Sequence, residues 1–254
     1  MLVSVAQTQL FFLALTRVLA ILIHIPVLGG NSIPLQVRLA FGIVLALILV
    51  PWQQPLSAEV ESMALLAFAM AIFREIIIGT LAGYAANLTF GAIQMAGELT
   101  SMATGFSSGR VLNPLIGEGG SSLDQLFTMT ALLVFLVING HHLFIMAIQQ
   151  IFVLLPVNSP LPSFSAETLL TLTSQLIVIG IQLALPIYGA MLLTDITLGL
   201  LARVAPQVQV FFLGLPAKIG LGMMGFSLTL AIILPKLTDY MRSIGPWMLK
   251  LLGS

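Results

Sequence analysis

The residues of this chain that could do chemistry are few, and the most telling are charges set inside apolar runs. Arg74 and Glu75 lie within Met63–Met95, Asp195 and Arg203 follow the apolar stretch that opens at Thr168, and Lys218 interrupts Val208–Leu234. An ionisable side chain in a membrane-crossing segment is costly, so it faces protein or water and takes a partner. Asp195 and Arg203 are eight residues apart, roughly 80° around a helix of 3.6 residues per turn. Pairing across helices is therefore expected rather than pairing along one. A faint internal echo joins Glu75-x-x-x-Gly79-x-Leu81-Ala82 to Asp195-x-x-x-Gly199-x-Leu201-Ala202. Carboxylates so placed could relay protons, but structural ion pairing between helices or subunits is the preferred reading.

Other chemistry finds little support. His141 and His142 point about 100° apart on a helix, so the two cannot easily hold one ion. Imidazoles at a helix break are the better account. The chain has no cysteine, which removes disulfides, thiolate metal sites and thiol catalysis. No HExxH or GxxxxGK[ST] motif occurs, no Ser/His/Asp set stands out, Gly105–Gly109 is no phosphate loop, and no basic patch suggests nucleic acid. The expectation is a protein without cofactor, bound metal or catalytic residue. The twelve methionines are spread over apolar segments and read as core, although Met95 and Met102 flank a central loop and could line a soft seal.

The elements that must position these groups follow from composition. Of 254 residues, 59% are hydrophobic and 7% charged, against about 45–50% and about 25% in soluble domains. Mean hydropathy is +1.11. So few charges cannot cover a soluble surface, and an all-α integral membrane protein is expected. Nine basic and nine acidic residues cancel, so no strongly charged partner is implied. The first basic residue is Arg17, and no cleavable signal peptide is expected.

A span needs about 20 apolar residues. Leu10–Leu28 is the first, with Arg17 and His24 on one face, and Gly29–Pro34 ends it. Leu39–Val50 opens a second, with Arg38 at its mouth. Met63–Met95 is too long for one simple crossing, and its Gly79 and Gly83 form a small-xxx-small pair that admits a neighbouring helix. Leu126–Leu155 contains Asn139-Gly140-His141-His142, where a kink or re-entrant turn is expected. Thr168–Leu193 carries Pro186; Asp195–Ala205 ends at Pro206; Val208–Leu234 is broken by Pro216 and Lys218; a short tail follows from Pro235. This makes six main hydrophobic segments. Lys and Arg fall on both sides of any simple topology, so orientation is not encoded in charge bias. That suits helices packed in an assembly.

The stretch Gly97–Ser122 stands apart, with six glycines and the lone basic residue Arg110. It is longer than the roughly 12–15 residues of an ordinary connector. Phe106, Val111, Leu112, Leu115 and Ile116 give it apolar groups to pack with. A structured loop that plugs or lines something is one reading; a large extramembrane loop without a role is the other.

Three stretches together resemble one family. Arg203-Val-Ala-Pro206-Gln207-Val-Gln-Val-Phe211-Phe-Leu-Gly214-Leu-Pro216-Ala-Lys218 is similar to R-x-x-P-Q-x-N-x-F-x-x-G-x-P-x-K, with Gln209 in place of Asn. Leu136-Val-Ile-Asn139-Gly140-His141-His142 is similar to F/L-x-x-N-G-H. Pro26-Val-Leu-Gly, Ile33-Pro34 and Arg38 complete the set. The family is FliR, the flagellar export-gate subunit, with its SctT-like counterpart in virulence type III secretion.

The resemblance implies a single export-gate membrane domain over 1–254: N-terminal helices over 1–97, a central plug loop over 98–124, middle helices over 125–206 and a C-terminal hairpin region over 207–254. It implies helical hairpins, FliP-like in the N-terminal part and FliQ-like in the C-terminal hairpin, packed in a helical hetero-oligomer with one copy of this chain. FlhB-like and FlhA-like proteins would lie nearby, in the bacterial inner membrane at the flagellar basal body. The loop would plug the pore through Gly105, Phe106, Ser107, Ser108, Gly109, Arg110, Val111, Leu112, Asn113 and Pro114, and unfolded exported polypeptides would displace it. The chain would be no enzyme. The alternatives are a proton-coupled secondary transporter using Glu75 and Asp195, and the equivalent virulence subunit.

Overall fold

The computed structural model describes residues 5–25, 33–49, 63–108, 122–162, 165–207 and 209–253, with the side chain of Phe211 left aside. The described residues form helices and no strand: α1 Val5–His24, α2 Leu35–Leu49, α3 Leu65–Thr104, α4 Ser122–Val137, α5 Gly140–Leu154, α6 Ala166–Val204, α7 Val210–Arg242 and α8 Ile244–Gly253. Among the described residues, four helical stretches are long and apolar enough to cross a membrane, and the interrupted pair α4 and α5 makes up to five. At 1.5 Å per residue, the 39 residues of α6 reach about 58 Å. That exceeds a hydrocarbon core of about 30 Å, so α6 also continues beyond it.

Contacts divide the chain into two compact units. The first holds residues 1–89, 139–173 and 242–254. Its centre is α1, which buries Leu13, Ala14, Arg17, Val18, Ile21 and Leu22. The 13/14, 17/18, 21/22 spacing is one helical face. Gly79 and Gly83 of α3 are where α1 crosses: a Cβ on Gly79 would stand 2.6 Å from the Arg17 carbonyl oxygen, and one on Gly83 2.8 Å from that of Ile21. Positions rise together on both helices, so α1 and α3 run in the same direction. Gln9 ties the start of α1 to the residue ahead of α3, donating to the Met63 carbonyl at 3.0 Å and accepting from its N–H at 2.9 Å. Helix α8 buries Ile244, Met248, Leu251 and Leu252, the i, i+4, i+7, i+8 pattern of one apolar stripe. Its Gly245 lies against Ala147 of α5. The expected tail from Pro235 is therefore helical.

The second unit holds residues 90–138 and 174–241. Its α6 and α7 form an antiparallel hairpin: Leu198 meets Gly214, Asp195 meets Lys218, Ile187 meets Gly225 and Gln182 meets Tyr240. The hairpin is thus drawn from α6 and α7 together, not from 207–254 alone. Ser165 caps α6, its Oγ accepting from the N–H groups of Glu167 and Thr168 at 3.2 and 3.4 Å. Pro206 follows just after its end. Phe127 of α4 packs on Phe226 of α7 with ring centroids 5.0 Å apart.

Two boundaries differ from expectation. Asp195–Ala205 is no separate segment: α6 runs through it. Glu98–Thr104, expected to open the central loop, is the last part of α3. Its polar residues are compatible with a helix because their hydroxyls bond back one turn: Thr100 to the Ala96 carbonyl at 2.7 Å and Thr104 to that of Thr100 at 2.9 Å. Gly97 is a packing glycine, since a Cβ there would stand 2.8 Å from Asp124 Cα.

Candidate functional site

Two sites collect the polar chemistry, one in each unit. In the first, Arg17 is wholly buried. Its Nε donates to Glu75 Oε2 at 2.5 Å, with side-chain exposures of 0% and 1%. Its Nη1 donates to the Leu155 carbonyl and its Nη2 to that of Pro156 at 3.3 Å. The guanidinium also lies over the Phe152 ring, 4.5 Å from its centroid. The other carboxylate oxygen of Glu75 accepts from the Asn158 N–H at 2.9 Å. Asn158 has φ 66°, a left-handed conformation that Asn tolerates and that belongs to the turn after α5. Its side chain accepts from Arg74 Nη2 at 3.2 Å. This network joins α1, α3 and the turn at 155–158, with both charges met.

The second site surrounds the root of the central loop. Helix α3 ends at Thr104, and Gly105 turns the chain with φ +86°, a region open to glycine and rare for other residues. Ser108 N–H then donates to the Gly105 carbonyl at 3.0 Å, and the hydroxyls of Ser101 and Ser107 are 3.0 Å apart. The root is folded back on the end of its own helix. Beside it, Lys218 Nζ donates to Asp195 Oδ1 at 2.7 Å, with side-chain exposures of 19% and 57%.

The expected charge set thus separates. Glu75 pairs with Arg17, a residue seen as an interruption but not placed in that set. Asp195 pairs across helices with Lys218, not with Arg203. Arg203 is exposed and makes no ion pair among the described residues. The echo between Glu75 and Asp195 does not extend to their glycines: Gly79 touches α1, whereas a Cβ on Gly199 would meet nothing within 4 Å. Of the expected plug residues, Gly105, Phe106, Ser107 and Ser108 are partly buried; Gly109–Pro114 lie outside the described residues, as do Pro26–Gly29.

The signature residues sit at turns and tight contacts. Asn139 breaks the helix with φ 56° and ψ 35°, and Gly140, the first residue of α5, is buried. His141 and His142 are exposed, with ring centroids 4.5 Å apart. No group of three or more His, Asp or Glu suited to a metal occurs among the described residues. Pro206 and Gln207 are exposed between α6 and α7. A Cβ on Gly214 would stand 3.1 Å from Leu198, and Pro216 is carried inside α7. The sequence reading missed Asn158, Thr104 and Gly222. Arg17 alone carried a signal, as a cation in an apolar run that must find a partner.

The family described as bacterial export proteins, family 1, matches residues 8–244. The flagellar biosynthetic protein FliR of Caulobacter vibrioides is 30% identical over 239 residues, covering 94% of this chain and 95% of that protein. FliR of Escherichia coli K12 is 30% identical over 228 residues, covering 89% and 86%. The Yop proteins translocation protein T of Yersinia pestis is 31% identical over 215 residues, covering 82% and 80%.

Proposed function

The chain belongs to the bacterial export proteins of family 1, and from that premise we propose that it is the structural and gating subunit of a flagellar type III export channel. The observation that carries the reading is the extent of the family match, which runs over nearly the whole chain and includes both Asn139–His141 and Arg203–Lys218. The Caulobacter FliR covers 94% of the chain and the Yersinia protein 82%, which supports the flagellar system. The equivalent virulence subunit is the second reading, supported by that same relative. Glu75 and Asp195 each hold a cation, which supports structural pairing over a proton relay.

In this proposal one copy of the chain packs with FliP-like and FliQ-like subunits in the bacterial inner membrane, near FlhB-like and FlhA-like proteins. The apolar residues that α6 and α7 leave exposed, among them Leu185, Leu192, Leu213 and Leu228, suit burial against such neighbours or lipid. The segment Gly105–Pro114 plugs the pore until an unfolded exported chain displaces it. The closed state is then favoured by a modest free energy, as a two-state element requires.

Native mass spectrometry of the detergent-extracted complex, captured through this chain and co-expressed with its genomic neighbours, tests the assembly. One copy of this subunit with several copies of two small membrane proteins is expected. A stable monomer or homodimer of the 27.1 kDa chain overturns it. Deleting Phe106–Asn113 tests the plug: assembled complexes should leak small ions while export continues, and unchanged permeability removes the assignment.

A further inference from the structure

We propose that Leu215, Lys218 and Gly222 of α7 form a seat that positions the root of the central loop, Thr104 to Ser108, and that the Lys218–Asp195 pair locks this seat. The inference rests on the reading of the loop as a plug. The three residues stand at i, i+3 and i+7, one face of α7. Gly222 receives the side chain of Thr104 so closely that a Cβ there would overlap the Thr104 methyl and stand 2.8 Å from its Cβ. Leu215 sits under Gly105, where an added Cβ would be 2.7 Å from Leu215 Cδ1. Between these contacts, Lys218 reaches Asp195 on α6.

The last turn of α3 is therefore held at two points by α7, and α7 is held to α6 by a charge between them. A cavity of about 170 Å³ lies at the junction, lined by Met102 and Ala103 of α3, Tyr188, Met191 and Asp195 of α6 and Lys218 of α7. Pro216 within α7 has no N–H to offer the preceding turn, so the helix lacks one of its own hydrogen bonds where it meets the loop root. Thr100, Ser101 and Thr104 are fully buried, so the root is fixed on the α3 side. A shift of α7 along α6 would move Leu215 and Gly222 off the root together. Such a shift must first break the pair.

The test uses complexes of the full chain with its partner subunits in vesicles, checked for composition by native mass spectrometry, with ion leak as the readout. Asp195→Asn and Leu215→Ala are each expected to assemble normally. Each should raise the leak about fivefold, the population change that losing a contact of this size gives in a two-state element. Exchanging the charges, Asp195→Lys with Lys218→Asp, should return the leak to the wild-type value; a swapped complex as leaky as Asp195→Asn overturns the lock. The Phe106–Asn113 deletion runs in parallel. If it leaks and both single variants stay tight, the seat is overturned while the plug stands; if it stays tight, the plug itself fails. Leak with Leu215→Ala alone overturns the lock, and leak with Asp195→Asn alone overturns the seat. Should Asp195→Asn fail to assemble, Leu215→Ala, which keeps the pair, decides the seat.

Discussion

Arg17 and Glu75 are 58 positions apart in the chain and meet in its interior, Nε to Oε2 at 2.5 Å. Neither helix could bury its charge alone. The pair is completed by groups farther along still, the Leu155 carbonyl 138 positions from Arg17 and the Asn158 N–H 83 from Glu75. The first unit therefore closes around this network only when α1, α3 and the turn after α5 are all in place.

Breaking the pair from one side leaves a buried charge without its counterpart. Arg17→Met or Glu75→Gln should each cost about 3–5 kcal/mol, read by unfolding of the purified chain in detergent. The double variant should lose clearly less than the two losses combined, because the uncompensated charge is gone. Exchanging the charges should not restore stability: Glu at 17 would face the Leu155 and Pro156 carbonyls, and Arg at 75 would face the Asn158 N–H. A stable swapped protein would show that attraction between the two charges, and not the surrounding donors and acceptors, holds the site.

Arg74, the next residue along the helix, makes the contrasting case. Its bond to the Asn158 side chain is exposed. Arg74→Ala should change stability by no more than about 1 kcal/mol, as solvent competes for both groups. A loss as large as that of Glu75→Gln in the same unfolding assay would place Arg74 inside the network.

How far the sequence could be read depended on the range of each interaction. Helical class, the break at Asn139 and the close approach at Gly79 and Gly83 follow from local pattern and residue type. The partner of Glu75 did not, because no spacing encodes a contact between Arg17 and a turn at 155–158. The loop boundary failed for a different reason. Gly97, Thr100, Ser101 and Thr104 have loop-like composition, yet Gly97 serves close helix packing, the Thr100 and Thr104 hydroxyls bond carbonyls of the preceding turn, and the Ser101 hydroxyl meets that of Ser107. Pro235 read as a helix end, but α7 carries it through to Arg242. The root of the loop was legible only as glycine and serine; its close approach to Leu215 and Gly222 joins residues more than a hundred positions apart, which no local pattern encodes.

Glycines that look alike in sequence should behave differently. Gly79→Ala places a methyl 2.6 Å from both Ala20 Cβ and the Arg17 carbonyl oxygen, so α1 must move. A cost of about 1–3 kcal/mol is expected from overpacking. Gly199→Ala meets nothing within 4 Å and should be neutral or stabilising by up to about 1 kcal/mol, the helix-propensity gain of Ala over Gly. Equal thermal shifts for the two variants would contradict the close crossing of α1 and α3.

Asn139 occupies a left-handed conformation, φ 56° and ψ 35°, without a capping bond from its side chain. Its carbonyl accepts from the N–H groups of His142 and Leu143 at 2.9 and 3.3 Å, so its backbone shape, not its amide, starts α5. Asn139→Gly should then be nearly silent. Asn139→Val should cost about 1–2 kcal/mol or more, because a β-branched side chain crowds the carbonyl in this region. The ranking Gly, then Ala, then Val in thermal unfolding checks the account. If Gly were as damaging as Val, the amide group itself would be what the helix break requires.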